Sequence, residues 1–465
     1  MSQGTATEAL VGRGARDGAA LFRTWFDELT ATAQEGRGAA YVFVMGSFAE
    51  LLRTFDFPVV FPEITSLQTA VRRVSDSYLS QAEDHGFSPD VCGYVKADYA
   101  LQLRKGEHPM GTIPPPSVAL LTNACNTYLK WAEIWERMYD APTLAIDVPG
   151  SRAGDHARRE TPEDFERDRG YVEAQIRETI PVLEKVSGVA FDIDRLREVL
   201  ERANRMGRAW RRVLALNEGR PAVFDAMLEG TIYLGVANAL RGTEEGARYF
   251  EDLVEEMEYK RAGGIGPLVD REEEHRLAFV GVPCYPIFRR FYQLFSEWGG
   301  TFVTSTYTWF ASGGLNLPFE YDVARPIESL AEGVLRSVRH AVDAMLFHDR
   351  ALIEAIDRFA VDGVVYHPVK SCRTVSTGLA DSRRVVLAER DVLGLYIESD
   401  MMDKRVVSEA QLKNRIDAFF EGLESRKLRL AGAAADADVP GVGAVPREAR
   451  TPSNAATGPS AGGEA

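Results

Sequence analysis

The sequence predicts an α/β protein with two parallel-sheet, Rossmann-like or flavodoxin-like α/β domains and an intervening helical region. Three observations lead there. Short apolar, β-branched runs alternate with amphipathic stretches towards both ends of the chain, the pattern of βαβ crossovers and parallel sheets. Long stretches with a 3.6-residue period and alternating charge occupy the middle. The 465 residues are too many for one compact core, and 45% hydrophobic with 26% charged content is that of a globular chain. The expected division is an N-terminal helical segment over 1–35, a first α/β domain over 36–160 and a helical domain or insertion over 161–270. A second α/β domain over 271–430 and a disordered tail over 431–465 complete it.

In order, residues 19–32 read as a helix with Leu21, Phe22, Trp25, Phe26 and Leu29 on one face. Residues 40–45, AYVFVM, form a buried strand ending at Gly46-Ser47. A helical run over 50–55 follows, then a short strand over 58–61 that stops at Pro62-Glu63. Residues 66–85 read as a helix, Ser88-Pro89-Asp90 as a helix start with Cys92 in the first turn, and 106–116 as loop. A third strand, SVALLT over 117–122, has Cys125 just after it, and a fourth covers 142–148. Beyond the helical middle, strands return at 276–282, 300–304, 363–366 and 394–397, with helices over 341–359 and 409–428. This second unit repeats the plan of the first without obvious sequence identity. From about residue 431 low-complexity composition predicts disorder, and Gly441-Val442-Gly443 follows no strand, so it is no nucleotide fingerprint.

Charge and cysteine usage narrow the function classes. With 54 basic and 69 acidic residues the net charge is −15, which argues against a nucleic-acid partner. No apolar run approaches the roughly 20 residues of a membrane span, and the N-terminus lacks the apolar core of a signal peptide. Four scattered cysteines make no disulfide framework, so a reducing cytoplasm is the expected location. No G-x-x-x-x-G-K-[ST] and no G-x-G-x-x-G between a strand and a helix occur, which removes ATP or NAD binding by those routes.

What remains is sulfur. In VDGVVYHPVKSCRTVST, residues 361–377, a strand buried on both faces ends at Pro368, which has no N–H for the ladder, and Cys372 follows on a polar loop. Open α/β sheets place ligands outside the carboxyl ends of their strands. Cys92, Cys125 and Cys372 share that setting, two in the first unit and one in the second. If the units face each other, the three thiolates can meet in the cleft. Three thiolates without a fourth protein ligand point to a [4Fe–4S] cluster with one non-cysteine iron site, able to bind an oxygen ligand. Zinc is the inorganic competitor, though structural zinc sites usually carry paired close ligands such as C-x-x-C, and none occurs here. A buried thiol without chemistry is the plainer reading of any one of them. Cys284, flanked by prolines, reads as a packed cysteine, with a fourth-ligand role as the alternative. His367 and His85 read as structural, with a hydrogen bond towards the cluster as the alternative. Ser47 and Glu63, each just past a first-unit strand, are pocket candidates, with helix capping as the alternative.

Several blocks resemble the benzoyl-CoA reductase / (R)-2-hydroxyacyl-CoA dehydratase family, and within it the larger, cluster-carrying (B-type) subunits of ATP-dependent benzoyl-CoA reductases. They are DVCGYVKAD over 90–98, LTNACNTYLKW over 121–131, VSGVAFDIDRLRE over 186–198, VKSCRTVSTG over 369–378 and IESDMMDKRVVSEAQLKNRIDAFFE over 397–421. The resemblance implies two α/β domains plus helices, with Cys92, Cys125 and Cys372 holding a [4Fe–4S] cluster. It implies a homologous cluster-carrying partner subunit, a CoA thioester lying between the clusters, and a separate ATP-hydrolysing activator supplied by ferredoxin. Cys284, the STYTWF stretch over 305–310 and the C-terminal tail depart from the family pattern. The expected function is the iron–sulfur catalytic subunit of an aryl-CoA reductase, with Glu63 or Ser47 orienting the thioester or a proton donor. The alternatives are a 2-hydroxyacyl-CoA dehydratase subunit using the same thiolates and a non-catalytic cluster carrier.

Overall fold

The computed structural model describes residues 10–150, 161–346 and 349–437. The chain divides into two compact units, one ending at Phe420 and one beginning at Glu421. The strands, all in the first unit, are β1 (Ala39–Val42), β2 (Val59–Val60), β3 (Glu107–His108), β4 (Gly111–Thr112), β5 (Pro116–Thr122), β6 (Thr143–Ile146), β7 (His275–Gly281), β8 (Gly300–Ser305), β9 (Gly363–His367) and β10 (Leu393–Tyr396). One sheet has the order β2-β1-β5-β6 and the other β10-β9-β7-β8, every pair parallel. The first sheet, numbered within itself, reads 2-1-3-4, and the second reads 4-3-1-2, which is the same set of neighbours around a central first–third pair. The repeated plan expected from the sequence is therefore a shared central pairing of first and third strands. In both sheets the chain reverses direction across the sheet between those two strands, the crevice where doubly wound folds bind ligands.

β7, β8 and β9 are buried along their whole length, as parallel strands covered on both faces require. The helical middle runs Pro162–Ser187, Ile193–Leu216, Leu228–Ala239 and Glu244–Gly263. Its entry is fixed by a capping box: Thr161 accepts from the Asp164 amide while the Asp164 side chain accepts from the Thr161 amide. The helix Leu228–Ala239 has no polar stripe, which is why periodicity did not mark it. Among the described residues no helix is long and apolar enough to cross a membrane.

Several boundaries differ from expectation for identifiable reasons. The helix expected over 66–85 is two helices, Pro62–Val71 and Ser75–Asp84. Arg73 takes a left-handed φ of 62° between them, and the Val74 amide turns back to the Thr69 carbonyl at 2.8 Å. The loop over 106–116 contains the β3/β4 hairpin. Cys92 lies just outside its helix, which begins at Gly93, because Ser88 to Val91 form a turn closed by the Val91 amide on the Ser88 carbonyl. The helix placed over 341–359 is two, Pro326–Leu346 and Asp349–Arg358, the first beginning at a proline suited to a helix N-terminus. The last helix, Glu409–Ala437, continues past residue 431, and the remaining tail with Gly441 to Gly443 lies outside the described residues.

Candidate functional site

Three cysteines occupy the N-cap positions of three helices. Cys92 precedes Gly93–Leu103, Cys125 precedes Asn126–Tyr139, and Cys372 precedes the single turn Arg373–Ser376. Cys125 and Cys372 each follow the third strand of their sheet, β5 and β9, so they are topological equivalents. The two halves meet at these sulfurs. Cys125 Sγ lies 3.7 Å from Thr374 Oγ1, and the Gly93 amide is 3.4 Å from Ser371 Oγ. All three thiols are half-buried.

Burial first, then the charges of Cys372 and Cys125, push the Cys92 thiol well above its ordinary range, while the Tyr94 and Val95 amides oppose the rise. Burial pushes the Cys372 thiol up to about 12; the Val375 and Thr374 amides oppose this, and the nearby charges of Cys125 and Asp400 add to it. Cys92 and Cys372 thus share a field with Cys125 and receive backbone N–H groups, an arrangement that stabilises their thiolates once positive charge is brought close. A single tetrahedral zinc, with sulfurs about 2.3 Å from the metal, draws sulfur atoms to within about 4 Å of one another. These three are not all within 4.8 Å of one another. As placed, the three sulfurs stand wider than a single tetrahedral zinc holds its ligands.

Two buried aspartates hold the cysteine-bearing segments. Asp98 Oδ2 accepts from the indole N–H groups of Trp131 and Trp135, each at 2.7 Å, and Oδ1 accepts from Gln102 at 3.0 Å. This ties the helix after Cys92 to the helix after Cys125. Burial nevertheless raises Asp98 to about 6. Asp400 accepts from the Ser371 and Met402 amides at 2.8 Å and from the Asp403 amide at 3.0 Å, holding the loop before Cys372. Met402 in turn packs so closely on Gly93 that a β-carbon there would lie 2.6 Å from Met402 Cβ.

A cavity of about 400 Å³ is lined mainly by apolar groups and by Glu63, Tyr285 and Tyr307, and Glu63 bonds Tyr128, a hydroxyl that feels the charge of Cys125. Glu63 stands in the first turn of Pro62–Val71, just past β2. Its Oε1 accepts from the Tyr128 hydroxyl at 2.7 Å and the Val44 amide at 3.2 Å. Its Oε2 is buried without a partner among the described residues. Burial raises this carboxyl to about 7, against the opposing pull of those hydrogen bonds. Exposed Arg23, Arg72 and Arg289 also line the cavity, and none is ion-paired among the described residues.

The other sequence candidates lie elsewhere. Ser47 is buried just past β1, where its Oγ accepts from the Ala49 amide at 3.2 Å. Cys284, just past the first strand of the second sheet, is fully buried beside Ser399, and burial pushes its thiol to about 12. His367 bridges the Val282 carbonyl and Ser399 Oγ, both at 2.6 Å, in the buried interior. His85 is exposed and bonds its own helix through the Gln81 carbonyl at 2.8 Å. Sequence reasoning missed Asp98, Asp400, Tyr128, Tyr285 and Tyr307. A signal existed for Asp98 alone, a lone carboxylate in the apolar helix that starts after Cys92.

The protein-family model described as 2-hydroxyglutaryl-CoA dehydratase, D-component, matches residues 47–423. The chain belongs to this family. It is 32% identical to the B subunit of benzoyl-CoA reductase from Thauera aromatica over 86% of this chain and 92% of that protein. It is 28% identical to the (R)-phenyllactyl-CoA dehydratase alpha subunit of Clostridium sporogenes over 81% and 88%. The (R)-2-hydroxyisocaproyl-CoA dehydratase alpha subunit of Clostridioides difficile matches at 26% identity over the same shares. These relatives are named as subunits of larger enzymes, and the family blocks around Cys92, Cys125 and Cys372 are the segments that meet at the site described above.

Proposed function

We propose that this chain is the iron–sulfur catalytic subunit of an ATP-dependent aryl-CoA reductase of the benzoyl-CoA type. The observation that carries the reading is the meeting of Cys92, Cys125 and Cys372 at three helix N-caps, linked through Tyr128 to Glu63, whose unpartnered carboxyl oxygen belongs to a cavity-lining residue. The three cysteines would hold a [4Fe–4S] cluster with one iron bound by no cysteine. Such a cluster supplies low-potential electrons and a Lewis-acidic iron.

The chain's own residues supply the rest. The Tyr94, Val95, Thr374 and Val375 amides offset the charge of the sulfurs. The apolar cavity walls exclude water from the reacting thioester. Arg23, Arg72 and Arg289 suit the phosphates of CoA in a chain whose net charge is −15. Glu63, poised near neutrality with Tyr128 on one oxygen, holds or moves a proton at Oε2. Ser47 is assigned a positioning role, bracing the turn after β1 near Val44. A homologous cluster-carrying subunit, and an ATP-hydrolysing activator fed by ferredoxin, would complete the enzyme.

The higher identity to the reductase relative, 32% against 28% and 26%, favours reduction. A second reading, a 2-hydroxyacyl-CoA dehydratase subunit, is supported by the family description and by the dehydratase relatives. Co-expression with its partner and activator, followed by ATP, a strong reductant and benzoyl-CoA, separates them. A dienoyl-CoA product supports the reductase. Turnover of a 2-hydroxyacyl-CoA with only catalytic ATP supports the dehydratase, and turnover of neither overturns both.

A further inference from the structure

The two phenols in the cavity wall have no part in the reading above. Tyr285 stands in the loop after β7 and Tyr307 in the turn after β8, at the ends of the first two strands of the second sheet. The Tyr285 hydroxyl donates to the Tyr307 oxygen at 2.7 Å, which turns the Tyr307 proton towards an acceptor other than Tyr285. The Tyr94 hydroxyl, two residues from Cys92, is buried beside this pair and makes no well-aligned hydrogen bond of its own. Tyr307 also lies near enough to Glu63 to feel its charge across the cavity. Two hydrogen bonds hold the turn that carries Tyr307. Ser305 Oγ accepts from the Tyr307 amide at 3.1 Å, and Thr306 Oγ1 accepts from the Gly281 amide at 3.2 Å.

We infer that Tyr307, with Tyr285 bonded to its oxygen, is a preorganised hydrogen-bond donor to the carbonyl oxygen of a bound CoA thioester. This rests on the proposed function, since it takes the cavity as the thioester site. Adding an electron to the thioester, or removing a proton beside it, places negative charge on that carbonyl oxygen. A fixed donor in a water-poor wall lowers the energy of that charge most where it develops. Donation from Tyr285 polarises the Tyr307 O–H and strengthens it as a donor. Burial holds the Tyr307 phenol up to about 12, so it gives a hydrogen bond at neutral pH and keeps its proton. Proton handling stays with Glu63, which lines the same cavity.

The test uses the assembled enzyme, without reductant, and thioesters labelled with 13C at the carbonyl: benzoyl-CoA and (R)-phenyllactyl-CoA. Difference infrared spectra of the bound ligand report the hydrogen bond directly. The expected result is a carbonyl stretch lowered on the wild type and returned towards its free value in Tyr307→Phe, with a partial return in Tyr285→Phe. In turnover, Tyr307→Phe is expected to lower kcat about 100-fold, the usual effect of losing one such donor, with little change in KM. An identical carbonyl frequency in wild type and both variants overturns the inference and leaves the proposed function standing. Failure of the wild type to bind either thioester overturns both.

Discussion

Cys372 and Cys284 are both cysteines just beyond a strand of the second sheet, yet their surroundings differ in kind. Cys372 shares an electrostatic field with Cys92 and Cys125, whereas Cys284 is sealed against Ser399. Cys372→Ser is therefore expected to remove most of the iron and acid-labile sulfide from anaerobically purified protein, and Cys284→Ser to retain them. Equal iron in both variants would mean a wrong ligand set. Glu63 gives a pH prediction. Its folded carboxyl keeps a proton up to about pH 7, and the unfolded one releases it near 4.5. The folded state binds more protons in that window, so this group's contribution to stability is full below about 4.5 and is lost as pH rises through 7. Glu63→Gln should gain stability relative to wild type over that interval, by on the order of 3 kcal/mol. Parallel pH profiles of denaturant midpoints in the two proteins would count against it.

Between elements, Asp98 is the contact that sets Cys92 relative to Cys125. Its two indole donors, Trp131 and Trp135, are fully buried, and Asp98→Ala leaves both N–H groups without an acceptor. At about 1–3 kcal/mol for each unsatisfied donor, the loss should be about 2–6 kcal/mol in urea unfolding. Asp98→Asn, which keeps a carbonyl acceptor, should lose less. Iron content should fall in Asp98→Ala even under conditions where the chain remains folded, since the two helices carry two of the three sulfurs. Full iron loading in a folded Asp98→Ala protein would show that the sulfurs are placed by other contacts.

Across the whole molecule, the helical middle is locked to the first sheet's half by a buried ion pair. Arg241 Nε meets Glu50 Oε1 at 2.5 Å with both side chains buried, and Arg241 also donates to the Ser312 carbonyl at 3.0 Å. Removing one partner strands the other charge in a low-dielectric interior. Arg241→Ala is expected to cost about 3–5 kcal/mol in global unfolding. The double variant Glu50→Gln/Arg241→Met, with no charge left to strand, should recover a large part of that. A double variant as unstable as the single one would place the loss in packing instead of charge.

Most strand positions, the parallel class and the helical middle were legible because they are local, though the β3/β4 hairpin was not. Residues such as Gly363 to Tyr366 or Val118 to Leu121 are apolar runs too short for helices, and each cysteine stands next to a recognisable strand end or helix start. The resemblance of the blocks around Cys92, Cys125 and Cys372 added the family, which the match over residues 47–423 bears out. Only the tertiary structure decided which groups share a site. Tyr285 and Tyr307 lie more than two hundred positions from Glu63 in the chain, and nothing in their local sequence marks them as its neighbours. The same holds for Asp400 behind Cys372 and for the full burial of Cys284. Secondary structure follows from patterns a few residues long, whereas burial, hydrogen-bond partners and shifted protonation depend on which distant segments pack together.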